Sequence, residues 1–233
     1  MESIIKVRDL KKFYGKGESQ VKALNGVNLN IEKGKFTVIT GSSGSGKTTL
    51  FNMIGGLDYP DSGSIVVDNI ELKDMKEKQL AVFRRSKIGF IYQNYNLIPS
   101  LTVKENILFS VNLGKQAVDK EFFREITGFL KLENRLDAYP GQLSGGGQQR
   151  VSIARALMLK SGIVLADEPT GNLDSCTSQE VLGLLKSAAQ TYRQTLVMIT
   201  HNLDIAQMAD RVVRMEDGQI LERTDRPQWK TTI

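Results

Sequence analysis

An α/β fold is what this 233-residue sequence predicts: a mainly parallel central sheet, an N-terminal antiparallel β layer and an inserted helical lobe. Three observations carry that expectation. First, four short runs are apolar almost without interruption: FTVIT (36–40), IGFIY (88–92), GIVLA (162–166) and TLVMIT (195–200). Strands apolar on both sides are strands covered on both faces, as in a parallel sheet between helices. Second, residues 4–10 and 21–31 alternate instead, with Val27, Leu29 and Ile31 on one face. That pattern suits half-buried strands of a smaller antiparallel layer. Third, no good strand occurs between Gln93 and about Ser161, whereas helix starts do.

The elements follow in order. Further strands are expected at 64–67 and 211–216, and MEDGQIL places Asp217-Gly218 between two apolar stretches, a type I′ hairpin signal. In the helical stretch, Thr102 can cap a helix starting at Val103, with Glu105 at the capping-box position. Asp119 can cap a second helix running through Leu132. Ser144 can start a third, which carries Val151, Ile153, Ala154, Leu157 and Met158. Pro99 and Pro140-Gly141 punctuate the stretch. The expected organisation is one domain, 1–233, with 1–93 and 162–233 forming the α/β core and 94–161 the lobe.

Composition narrows the classes. The chain is 40% hydrophobic and 24% charged, and its length is enough for one large core with an inserted lobe. No apolar run approaches the ~20 residues of a spanning helix, so at a membrane another protein would have to cross it. The start, MESIIKVRDLKK, does not read as a secretory leader. A single cysteine, Cys176, excludes an intrachain disulfide and suits a reducing compartment. With one histidine besides, a structural zinc site is excluded. The net charge of +5 reads as a mildly basic solvated surface, with attraction to anionic lipid or to nucleic acid as the alternatives. Without a dense Lys/Arg run interleaved with aromatics, no nucleic-acid partner is expected. There is no internal repeat and no low-complexity tract.

Residues Gly41, Ser42, Ser43, Gly44, Ser45, Gly46, Lys47 and Thr48 match GxxxxGK[ST]. Glycines let the backbone curl until several N–H groups face one anion, and the following helix adds its positive end. Lys47 is expected on the β- and γ-phosphates and the Thr48 hydroxyl on Mg²⁺, with Thr49 next in line. A Gly/Ser linker could match by chance, but FTVIT before it and TTLFNMIGGL after it supply the strand and helix the motif requires.

Asp167 and Glu168 end the apolar run at 163–166, and ligand sites of open α/β sheets lie at strand carboxyl ends. Asp167 would hold Mg²⁺ directly or through water, and Glu168 would act as general base on a water. Alone, the pair could equally be helix-start carboxylates bonded to backbone N–H groups. Gln93 closes IGFIYQ and His201 closes TLVMITH, so both are expected in the same crevice as Lys47 and Asp167. A neutral Gln amide can ligate Mg²⁺ and orient a water. The His201 imidazole can bond a γ-phosphate and steady the Glu168–water geometry, although a lone histidine is more often structural.

Residues 143–150, LSGGGQQR, resemble the LSGGQ signature of the ABC ATPases. The phosphate loop, Gln93, the signature, Asp167-Glu168, Asn172-Leu173-Asp174 and His201 stand in that family's order and spacing, over essentially the whole chain. The resemblance implies a RecA-like P-loop NTPase core that binds and hydrolyses ATP with Mg²⁺. It also implies a head-to-tail dimer. Ser144, Gly145 and Gly146 form a second anion-binding helix start. In relatives, each ATP lies between one copy's Lys47 loop and the other copy's Ser144 helix. By the same resemblance Asp174 reaches the opposite site and Tyr14 stacks on adenine, unless Tyr14 is only a half-buried strand-end residue.

One residue departs from the family: Gly147 stands where relatives usually carry Gln or Glu. Glycine inside a helix costs roughly 1 kcal/mol relative to alanine, and weaker or slower trans engagement is expected. Cys176 is expected near the dimer axis.

GGLDYPDSG, YQNYNLIPSLTVKEN and DEPTGNLDS are similar to the ATPases of lipoprotein-release, macrolide-export and antimicrobial-peptide-resistance systems. This implies a separate integral membrane permease as partner, at the cytoplasmic face of the membrane. Tyr95, Leu97, Ile98 and Leu101 offer that partner apolar surface, or pack internally. No appended regulatory module is expected after the last strand. The alternative is an ATP-gated mechanical or signalling switch of the cell-division type. A DNA-maintenance ATPase is disfavoured because coiled-coil and zinc insertions are missing, and a phosphate-loop kinase because LSGG would go unexplained.

Overall fold

The computed structural model describes residues 2–225, so Met1 and 226–233 of the expected domain lie outside the described residues. In chain order the elements are β1 (Ser3–Tyr14), β2 (Val21–Glu32), β3 (Phe36–Thr40), α1 (Lys47–Ile54), β4 (Ser62–Val67), β5 (Ile70–Glu71), α2 (Glu77–Lys87), β6 (Ile88–Tyr92), α3 (Val103–Leu113), α4 (Lys120–Phe129), α5 (Gly145–Leu157), β7 (Ile163–Asp167), α6 (Ser175–Thr191), β8 (Thr195–Thr200), α7 (Leu203–Ala206), β9 (Arg211–Glu216) and β10 (Gln219–Asp225). The chain forms two compact units. One is drawn from the chain up to Arg84 and from Thr195 onward; the other is Arg85–Gln194.

The first unit holds an antiparallel sheet in the order β2-β1-β4-β5. The alternating residues face its core: Ile5 pairs with Ile31, Val7 with Leu29 and Leu10 with Val27, and all six are buried. Between Val7 and Leu10 the register shifts. Asp9 sits there in the left-handed region (φ +41), so the inward face passes from Val7 to Leu10. The same unit carries β10-β9-β3-β8, with β3 parallel to both β8 and β9. Every residue of FTVIT and TLVMIT is buried, as continuous apolar strands require. Asp217 (φ +46) and Gly218 (φ +72) both turn left-handed between β9 and β10, the backbone of a type I′ hairpin.

The second unit pairs β6 with β7 in parallel, and its helices α3, α4 and α6 pack on α5. Helix α5 lies directly on β6, where a Cβ at Gly89 would stand 2.7 Å from the Ala156 carbonyl oxygen. Thr102 and Glu105 form the expected capping box on α3, and Asp119 and Ser144 cap α4 and α5 through their side chains.

The helix begun at Asp119 stops at Phe129, short of the expected Leu132. Lys131 turns left-handed (φ +58), its N–H donates to Gly128 O (3.0 Å), and the Leu132 N–H donates to Thr127 O (2.8 Å). That pair of bonds is a Schellman end. Leu130 and Leu132 are buried all the same, so the apolar periodicity runs past the helix into the turn that closes it. Helix α2 was unexpected because only Leu80 and Phe83 of its eleven residues are buried, too sparse a stripe to read. No helix among the described residues is long and apolar enough to cross a membrane.

Candidate functional site

In the first unit, β3 delivers the chain into the loop 41–46, and α1 starts at Lys47. Gly44 (φ +79) and Gly46 (φ +97) take conformations that side chains resist. The loop is also boxed in by main chain. A Cβ on Gly41 would overlap Met215 O, and one on Gly46 would overlap Ala23 O. Gly218 N–H donates to Ser45 O (3.2 Å), and Gly218 O accepts from Asn25 N–H (2.9 Å). The β9–β10 hairpin and β2 therefore brace the loop from outside.

Lys47 is buried, and its Nζ donates to Gly41 O (2.9 Å) and Ser42 O (2.7 Å), so the ammonium sits in the hollow of the loop. Thr48, on the first turn of α1, is exposed. Glycines that admit no Cβ, a cation in the hollow and a helix start behind it form a cradle for a polyphosphate. Ser42, Ser43 and Gly44 are its exposed rim.

Tyr14 ends β1 beside this loop, its hydroxyl donating to Asp58 Oδ2 (2.8 Å) and hydrogen-bonded to the Thr49 side chain. Burial raises its pKa, and the Asp58 carboxylate adds to the rise. Burial also pushes the Asp58 carboxyl up, but the Lys12 ammonium (3.0 Å) and the Tyr14 hydroxyl outweigh it and leave the group below its ordinary value. Tyr14 is 42% exposed as a residue, with the Lys12 ammonium 5.2 Å from its ring centroid. His201 follows β8, and Thr200 pairs in parallel register with Thr40. His201 and Gly41 therefore leave neighbouring strands at the same carboxyl edge.

In the second unit, Tyr92 pairs with Asp167, so Gln93 and Glu168 leave β6 and β7 together. Glu168 is left-handed (φ +41), and Gly171 N–H closes a turn on its carbonyl oxygen (3.0 Å). A non-glycine residue held there stores strain of order 1–3 kcal/mol, a feature that clusters at functional sites. Gln93 Nε2 donates to Asn172 Oδ1 (3.2 Å), and Asn172 Nδ2 donates to Gln93 O (3.2 Å) and to Asn94 Oδ1 (2.9 Å). A Cβ on Gly171 would stand 2.7 Å from Gln93 Nε2, so glycine there makes room for the amide.

The chain after Gln93 is fastened further along. The buried Asn106 accepts from Ile98 N–H (2.8 Å) and donates to Ile98 O and Leu101 O (3.0 Å each). Tyr95, Leu97, Ile98 and Leu101 are half-buried.

Ser144 precedes α5 and accepts from Gly147 N–H (3.2 Å), while Gly145 and Gly146 form the first turn. Asp174 caps α6 by accepting from Thr177 N–H (3.0 Å), and hydrogen bonds from Thr177 hold its carboxyl below the usual range. Cys176 is exposed on the first turn of α6.

The motifs did not disclose the hairpin brace or the Asn106 clasp. Asp217-Gly218 gave a turn signal but no hint of what the turn touches. Asn106 gave no signal beyond a polar residue on the apolar side of a helical pattern.

A protein-family model described as "ABC transporter" matches residues 24–171. The macrolide export ATP-binding/permease protein MacB of Rhodopirellula baltica is 43% identical over 223 residues, covering 94% of this chain and 33% of that protein. This chain thus spans about a third of the length of the MacB relatives it matches. The lipoprotein-releasing system ATP-binding protein LolD of Cytophaga hutchinsonii is 41% identical, covering 95% of this chain and all of LolD (100%). Among solved structures, a dimeric post-hydrolysis state of the ATP-binding cassette MJ0796, from Methanocaldococcus jannaschii, bound to ADP and Pi, superposes with a TM-score of 0.86. It is 39% identical and covers 97% of this chain and 100% of that one.

Proposed function

This chain belongs to the ABC transporter family as one of its ATP-binding members, and from that membership we propose that it binds ATP with Mg²⁺, hydrolyses it, and drives a separate integral membrane permease from the cytoplasmic face of the membrane. The observation that carries the reading is the loop 41–48, braced by main chain at Gly41 and Gly46 with the Lys47 ammonium in its hollow.

Lys47 and the loop N–H groups take the phosphates, and Thr49 and Tyr14 border the loop, with Tyr14 offering its ring to the adenine. Thr48, Gln93 and Asp167 are the proposed Mg²⁺ ligands, a hydroxyl, a carboxamide and a carboxylate of the hard oxygen type that Mg²⁺ prefers. Bound there, Mg²⁺ supplies charge neutralisation to the transferring phosphoryl group. Glu168 accepts the proton of the attacking water. His201 holds the γ-phosphate side of that arrangement, and Gln93 orients the water.

Ser144, Gly145 and Gly146 of a second copy close each site head to tail, with Asp174 reaching across and Cys176 near the dimer axis. ATP then acts as an adhesive between copies, and hydrolysis lets them part. Within the lobe 94–161, the stretch from about Asn94 to Ala138 receives a short helix of the permease, with Tyr95, Leu97, Ile98 and Leu101 toward the contact. The relatives' names, macrolide export, lipoprotein release and bacitracin export, favour export, lipid or lipoprotein extraction, or antimicrobial-peptide resistance as the process driven.

Glu168→Gln tests the core of this. General-base catalysis is worth about 10²–10⁴-fold, so turnover should fall at least a hundredfold while ATP traps a dimer visible by size-exclusion chromatography with light scattering. Unchanged hydrolysis would remove Glu168 from the mechanism, and a monomer throughout would remove the dimer.

A further inference from the structure

Beyond Gln93 the chain turns through two consecutive left-handed residues, Tyr95 (φ +61) and Asn96 (φ +46). Asparagine tolerates that conformation, but tyrosine resists it, so something must hold the turn at Tyr95. One guanidinium takes both of their carbonyl oxygens: Arg155 Nη2 donates to Tyr95 O at 2.8 Å, and Nη1 donates to Asn96 O. The planar fork of arginine suits two acceptors on adjacent residues, which a single ammonium does not match.

Arg155 is half-buried, and among the described residues these two carbonyls are its hydrogen-bond partners, with no carboxylate paired to it. Placing a charge there without a counter-ion is unfavourable, and a methionine would fill the space more easily. The arginine makes physical sense as a clasp on the loop.

The clasp stands on helix α5, whose first turn carries the LSGG glycines. The Tyr95 side chain reaches the other end of that helix: a Cβ on Gly145 would stand 2.9 Å from the Tyr95 hydroxyl. The segment bearing Gln93 therefore touches α5 near its first residue and again in its last turn. At its own start, the Gln93 amide is fixed to Asn172.

We propose that Arg155 is a positioning residue that fixes the left-handed turn at Tyr95-Asn96, so that the Gln93 carboxamide is held in register with the signature helix and moves when that helix moves. The proposal rests on the role of Gln93 given above. Arg155 touches neither nucleotide nor metal; it acts through the loop backbone.

The test uses the full chain with Arg155→Lys, Arg155→Met, Gln93→Ala and the Gln93→Ala/Arg155→Lys double variant. Misplacing a ligating group by an ångström costs up to about a hundredfold, so either Arg155 variant should lower kcat at least tenfold. The Mg²⁺ concentration for half-saturation should rise, and ATP affinity without Mg²⁺ should stay within twofold. Hydrogen exchange at residues 94–98 should rise at least tenfold. In the Gln93→Ala background, Arg155→Lys should change kcat by less than twofold.

Losses that multiply in the double variant overturn the proposal, as does unchanged exchange at 94–98 or an unchanged Mg²⁺ requirement. Should Arg155→Met fail to melt cooperatively, Arg155→Lys carries the test, since it keeps the charge and most of the stem. A wild-type chain that binds ATP and Mg²⁺ without turnover sinks the ATPase reading alone. The Mg²⁺ requirement for binding still decides the case for Arg155.

Discussion

Replacing Gly46 by alanine should abolish most nucleotide binding, and the size of the effect follows from the packing around it. A Cβ at Gly46 overlaps Ala23 O and lies 3.3 Å from Leu24 Cδ2 and 3.4 Å from Gly218 Cα. The first neighbour is main chain of β2 and cannot rotate away. Ordinary contact at about 3.5 Å therefore demands a shift of about an ångström in the loop. The left-handed φ of +97° adds about 1–2 kcal/mol for a residue with a Cβ. Overpacking adds about 1–3 kcal/mol. A displacement of that size in a cradle of N–H groups weakens binding by about a hundredfold.

The contrast is Gly34→Ala, where φ is +71° but a Cβ would meet nothing within 4 Å. It carries the conformational term alone, with affinity unchanged. Melting with and without ATP reads both. At one hundred times the wild-type Kd, ATP stabilises the wild type by about 2.7 kcal/mol, and a hundredfold weaker site at the same concentration keeps only about 0.4 kcal/mol. For a chain of this size that is a Tm rise of about 5–11 °C against about 1–2 °C. A Gly46→Ala protein whose ATP-induced rise equals that of wild type would refute the picture of a loop boxed in by β2.

Other perturbations test single links. Thr102→Ala removes the side-chain half of the capping box on α3 and should cost about 1 kcal/mol, seen as a Tm lower by about 2–4 °C; an unchanged melt would mean the cap contributes nothing. Burial first, and then the hydrogen bond to Glu125 (2.9 Å), push the Tyr192 phenol up to about 12 from its ordinary 10.0. The unfolded chain therefore ionises this tyrosine first. Its contribution is whole below pH 10 and fades as pH rises through about 12. Denaturant melts across that window, with Tyr192→Phe as control, should show a decline that the variant lacks. An identical decline in both would assign it elsewhere.

Much of the fold was legible because local and global preferences agree. FTVIT, IGFIY and TLVMIT are strands at the positions their apolar continuity marks, and the Asp217-Gly218 pair turns left-handed as its chemistry demands. Caps were legible for the same reason, since Thr102, Asp119 and Ser144 each bond within three residues of themselves. What stayed hidden are bonds between a side chain or turn and distant main chain. The Gly218 N–H reaches Ser45 O, Asn106 serves Ile98 and Leu101, and Arg155 serves Tyr95 and Asn96. A carbonyl carries no sequence label, so its partner cannot be inferred from residue type. The left-handed Glu168 is hidden likewise, because nothing local forces a glutamate into that region.

Gly147 shows how the two kinds of information combine. By sequence it is a helix-interior glycine that weakens α5 by roughly 1 kcal/mol relative to alanine. Its surroundings offset part of that. A Cβ there would stand 3.2 Å from Leu143 Cβ and 3.5 Å from Ser144 Oγ, the atom that accepts the Gly147 N–H. A Cβ at 147 would press on Leu143 by a few tenths of an ångström and meet the Ser144 hydroxyl at ordinary contact distance. Glycine thus spares Leu143 a small shift at the start of α5. What it cannot restore is a polar group projecting from the helix start. In a head-to-tail dimer that group would face the other copy's nucleotide, so Gly147 is expected to weaken association between copies in addition to the part of the helix cost that its surroundings leave in place.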